Sequence, residues 1–135
     1  MVKLIIGIKG TGKTKTLIKM VDEALEKTTG DVVVLEKGEK LKFDIKYQAR
    51  LVNTEEYYIN DAQSLYGFVA GILASNHDVT DLFIDTTLRI CANDVAAFEK
   101  MVEEIDILTV KKDINIVMTA SIDENEASDV IKKYV

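Results

Sequence analysis

Apolar and polar positions alternate between two spacings along the chain, and the switches mark its elements. The run at 3–8, closed by glycine, is short and apolar and predicts a buried strand. Beyond a glycine-rich loop, Leu17, Ile18, Val21 and Leu25 recur at helical spacing, so about 13–27 is an amphipathic helix stopped by Thr28-Thr29-Gly30. The β-branched run 31–36 predicts a second strand. A turn at Lys37-Gly38-Glu39 follows. The weak alternation of 41–45 and 49–52 then suits either a hairpin or one irregular extra strand.

Asn60-Asp61 caps a helix ending near Asn76, with Leu65, Phe68, Val69, Ile72 and Leu73 on its apolar face. Residues 82–85 form another short strand. Asn93-Asp94 caps a helix bearing Phe98, Met101, Val102, Ile105 and Leu108, residues 114–118 are again strand, and about 123–133 reads as a short polar helix. Strands alternating with helices imply a three-layer α/β/α domain around a mainly parallel sheet. Neither proline nor a Gly/Ser-rich tract marks a linker, so residues 1–135 read as one domain.

Charge adds a direction to this frame. The formal net charge is −6, but the first 21 residues hold five lysines (Lys3, Lys9, Lys13, Lys15, Lys19) and no acid. The rest therefore carries 12 basic against 23 acidic side chains, a net −11. Such a distribution lacks the broad basic face of a general nucleic-acid binder and suits a small anion held at one positive site. No apolar run approaches the roughly 20 residues of a membrane helix. The N-terminus does not resemble a signal peptide, and a lone cysteine, Cys91, forms no internal disulfide, so the expected setting is the cytoplasm.

The sharpest chemical signal is Gly7-Ile8-Lys9-Gly10-Thr11-Gly12-Lys13-Thr14, which fits G-x-x-x-x-G-K-[ST] at every fixed position and follows a predicted strand into a predicted helix. Gly7, Gly10 and Gly12 let the backbone bend and approach phosphate. The loop amides and helix N-terminus then form an anion nest. Lys13 can bridge the β- and γ-phosphates, the Thr14 hydroxyl can ligate Mg²⁺, and Lys9, Thr11 and Lys15 offer rim contacts. Such a loop needs an acid at the end of a neighbouring strand to hold the cation, and Asp85 fits; the plain alternative is an aspartate capping a turn. Asp31 and Asp81 begin strands and fall at the wrong sheet edge, since ligands bind at the carboxyl ends.

With this loop, this acid and at least one strand between them, the chain resembles the RecA-like, additional-strand division of P-loop NTPases. It is also similar to small stand-alone ATP-binding proteins of Gram-positive bacteria, a likeness that implies nucleotide binding and no particular reaction. The division's resemblance implies ATP ahead of GTP as ligand, Mg²⁺ as cofactor, and a homo-oligomer or an activating partner protein to complete the site. Many members place a glutamate directly after the aspartate, where this chain has Thr86. In the RecA-like branch that residue is often Ser or Thr, and the water-activating glutamate ends the strand after the P-loop helix. Glu36 stands there, either as that base or as an ordinary strand-end glutamate. Thr119 or Ser121 stands either at a γ-phosphate-sensing position that the resemblance implies or as an ordinary strand-end residue, and Arg89 either reaches the phosphates or pairs with an acid.

Other residues suit structural roles: His77 in a loop, Cys91 as a small buried hydrophobe, Gly67 and Gly71 as a close-packing pair, and Tyr47, Tyr57, Tyr58 and Tyr66 as packing aromatics. The sequence thus predicts an ATP-binding P-loop protein with slow Mg-dependent hydrolysis. A nucleoside or nucleotide kinase and a non-catalytic ATP-dependent switch are the alternatives.

Overall fold

The strict alternation of apolar side chains in the strands determines how the layers stack. In the computed structural model, which describes residues 1–135, five strands form one all-parallel sheet: β1 (Val2–Ile6), β2 (Asp31–Glu36), β3 (Arg50–Asn53), β4 (Val79–Ile84) and β5 (Asn115–Ala120), in spatial order β1-β5-β4-β2-β3. Val32, Val34, Phe83 and Val117 face one side, where they pack under Leu17 and Val21 of helix α1 (Lys13–Lys27). Val33, Leu35, Leu82, Ile84, Ile116 and Met118 face the other. There they meet helix α2 (Ala62–Ser75), the short α3 (Thr87–Ile90), α4 (Val95–Thr109) and the short α5 (Asp129–Lys132). Sealing a leucine such as Leu17 or Leu65 fully from water contributes about 1.5–3 kcal/mol, so both faces are substantially stabilised.

Local chemistry sets the helix starts. Asp61 caps α2 through a capping box, its carboxylate accepting the Ser64 N–H at 2.7 Å while Ser64 Oγ accepts the Asp61 N–H. The hydroxyl of Ser64 also lowers the Asp61 carboxyl below the usual carboxylate range, with the Ser64 amide adding to the effect. Asp94 caps α4 by accepting the Ala97 N–H at 3.1 Å.

Several expectations need correction. Residues 41–45 are a turn, not a hairpin arm; Leu41, Ile45 and Ala49 tuck beneath α1, and only Arg50–Asn53 becomes strand, parallel to β2. The first strand stops at Ile6, because the glycine-rich loop starts at once. The helix expected over 123–133 is broken into a 3₁₀ turn at Glu124–Glu126 and α5, since Asp123 and Ser128 each cap a new start. Helix α3 was not anticipated. Gly67 and Gly71 lie exposed on α2 with open space around them, so they do not serve close packing. Tyr47 and Tyr58 are exposed and do not pack, whereas Tyr57 stacks on Phe68 at 5.5 Å.

Candidate functional site

All five strands run the same way, so their carboxyl ends share one edge. The registers Leu35↔Ile84, Ile84↔Met118 and Glu36↔Asn53 set a row across that edge: Asn53, Glu36, Asp85, Thr119. Period-two alternation turns Glu36, Asp85 and Thr119 to the α1 face, two residues beyond the inward-facing Val34, Phe83 and Val117. The start of α1 lies above them.

The loop from Gly7 to Gly12 feeds that helix. Gly12, its N-cap, has φ +83°, a left-handed conformation in which a Cβ is strained, and no side chain caps the helix start. The first-turn amides therefore have no side-chain acceptor. The Lys13 ammonium donates to the Ile8 carbonyl at 2.9 Å, folding back over the loop, and the Thr11 hydroxyl donates to the same carbonyl at 2.7 Å.

Below the helix start, Thr14 Oγ1 lies 3.2 Å from both carboxylate oxygens of Asp85. Thr119 donates its hydroxyl to Asp85 Oδ1 at 2.7 Å and accepts the Thr86 N–H at 2.8 Å. Asp85 is 6% exposed, and these hydroxyls partner its buried oxygens. Thr86 itself adopts φ +50°, a strained conformation for a β-branched residue, at the point where β4 leaves the sheet.

An open cavity of about 840 Å³ covers this arrangement, lined by Lys9, Gly10, Gly12, Lys13, Thr14, Lys15, Lys40, Thr86, Arg89, Thr119 and Ser121. No apolar and no acidic side chain lines it. Its five cations make no ion pair; the chain's one such contact, Lys46 with Asp22 at 3.9 Å, lies elsewhere. The structure thus brings Lys9, Gly10, Gly12, Lys13, Thr14 and Lys15 together with Thr119, Ser121 and Arg89. Gly7 and Thr11 instead line a neighbouring hollow with Ile8, Thr16 and Asp123–Asn125, which Lys13 also borders.

Glu36 lies beneath the cavity, 3% exposed and beside Asp85. Burial raises its carboxyl above the ordinary value; the Leu41 and Lys40 amides pull it back, and the neighbouring Asp85 charge pushes it up. Those amides donate to its two oxygens at 2.9 Å each.

Lys40 and Thr86 escaped sequence reasoning. Lys40 sits in a turn whose path no periodicity describes. His77 borders an apolar hollow beside Leu73, Val79, Leu108 and Ile114. Cys91 is buried, and burial, with the charges of Asp61 and Asp94, pushes its thiol up to about 12. No group of three or more His, Cys, Asp or Glu side chains is arranged to hold a metal, and no helix is long and apolar enough to cross a membrane. No family model matches the chain, and no curated protein is significantly similar to it.

Proposed function

We propose that this protein binds ATP as its Mg²⁺ complex in the five-cation cavity and hydrolyses it slowly, in the manner of a RecA-like P-loop NTPase. The observation that carries this reading is the Thr14–Asp85 pair set beneath a cavity of five unpaired cations and uncapped helix amides. Strand β5 between the loop-bearing β1 and the Asp85-bearing β4 supports the additional-strand assignment.

The donor set fits the cation. Mg²⁺ takes hard oxygen ligands, keeps several waters, and needs only one or two protein groups, so a hydroxyl and a carboxylate at one point suffice. Thr14 would ligate it and Asp85 would hold its waters; when bound, it supplies charge neutralisation between the β- and γ-phosphates. The chain's own groups do the rest. Lys13 leaves the Ile8 carbonyl for phosphate oxygens, and the loop amides bind the phosphates as they accumulate charge. Water attacks the γ-phosphorus in line, the bond to the bridging oxygen breaks, and ADP, phosphate and a proton leave. Thr119 keeps Asp85 oriented throughout.

One observation favours a second reading, a nucleotide-dependent switch with little turnover: both oxygens of the expected base, Glu36, already accept backbone amides. Phosphate release from ATP separates the two. Turnover lost in Lys13→Ala supports the ATPase, tight binding without turnover leaves the switch, and transfer only after adding a nucleoside would reveal a kinase.

A further inference from the structure

The turn after β2 is braced more firmly than a surface connection requires. Glu36 Oε1 accepts the Lys40 N–H and Oε2 the Leu41 N–H, each at 2.9 Å. From the other side, Asn53 Oδ1 accepts the Gly38 N–H at 2.9 Å. Leu41 is buried beneath α1, which anchors the far end. Three amide contacts, to Gly38, Lys40 and Leu41, from two strand-end side chains thus fix the backbone over 38–41. The exposed side chain this turn sends to the cavity is Lys40.

We propose that Lys40 is a phosphate-binding residue of the nucleotide site and that Glu36 is the positioning residue that holds it there. The inference rests on the nucleotide reading above. A general base must present a free carboxylate oxygen to the attacking water. Turning Glu36 towards water would strip partners from the Lys40 and Leu41 amides, the second of which is buried. Lys40 meanwhile lies among four other unpaired cations with no acid in the lining, an arrangement that gains only when a polyanion enters. The loop and α1 supply Lys9, Lys13 and Lys15, whereas Lys40 adds charge from the wall built on β2.

Calorimetric titration with Mg·ATP, alongside steady-state turnover, tests this on the full chain. Lys40→Ala is expected to weaken ATP binding about ten-fold, the size of one lost charge-assisted contact at an accessible site. Lys40→Arg should restore most of it. Glu36→Gln keeps one acceptor but turns an NH₂ group on the second amide. It should therefore lower kcat/KM about as much as Lys40→Ala, chiefly through KM, and the double variant should be little worse than either alone. Wild-type affinity in Lys40→Ala, with binding lost in Lys13→Ala, overturns the Lys40 assignment and leaves the nucleotide reading standing. Glu36→Gln that binds ATP normally but loses about 10²–10⁴-fold in kcat overturns the positioning role and makes Glu36 the base. Should Glu36→Gln fail to fold, Asn53→Ala, which loosens the same turn from its other side, should weaken ATP binding as Lys40→Ala does, and wild-type affinity there would overturn the positioning of Lys40 by the braced turn. Absence of any binding by the wild-type protein overturns both.

Discussion

Thr119 performs two tasks with one hydroxyl: it donates to Asp85 and accepts from the amide of Thr86, the residue whose backbone is strained. Thr119→Val keeps the shape and removes both bonds, leaving a part-buried carboxylate oxygen and amide with fewer partners. The expected cost is about 1–3 kcal/mol, read as a lower urea midpoint at unchanged slope. A midpoint equal to wild type would mean that water replaces the hydroxyl without loss. Cys91 is the opposite case, a nucleophile by type that its surroundings silence. A thiol-reactive dye at pH 8 should leave the native protein untouched and label Cys91 only on unfolding, since the side chain is 1% exposed and its thiol stays protonated.

At the scale of elements, the strands and helices write themselves in hydrophobic spacing because each buries one defined face. Helix α1 starts at Lys13 and ends at Lys27 as its period predicts, and Asp61 and Asp94 mark the starts of α2 and α4. The glycine-rich loop at 7–12 is equally legible, since its glycines answer a backbone requirement that few residues meet. Residues 37–49 are not, because that path is set by specific amide contacts to Glu36 and Asn53 and by Leu41 reaching the core, none of which leaves a periodic pattern. Helix α3 is hidden for a similar reason: it follows the left-handed Thr86 and brings Arg89 to the cavity with no periodic signal. On the face opposite α1, α4 buries Phe98, Met101, Val102 and Ile105. Phe98→Ala there, at a fully buried ring, should lower stability by about 3–5 kcal/mol while the proposed nucleotide binding of the folded fraction stays unchanged, because α4 lies on the face away from the cavity. Loss of nucleotide binding in the folded variant would tie α4 to the site directly.

For the whole molecule, a net charge of −6 surrounds a local cluster of five cations, so binding of a polyanion should weaken as salt screens that cluster. Alkaline pH probes the fold as a whole. Burial raises the Cys91 thiol from 9.0 to about 12 and, with the Asp106 hydrogen bond, the Tyr134 phenol from 10.0 to about 12. The native state therefore holds these protons while the unfolded chain releases them. Stability should fall as pH climbs from about 9 towards 12, and Cys91→Ala should flatten the first part of that decline. The proposed nucleotide site is tested most directly by thermal unfolding of wild type and Lys13→Ala with ATP, GTP or ADP, each with and without Mg²⁺. Mg·ATP at about 100 times its Kd should stabilise wild type by about 2.7 kcal/mol, an upward Tm shift of several degrees, and leave Lys13→Ala unmoved. A wild-type Tm that no nucleotide raises, with or without Mg²⁺, would contradict the central claim.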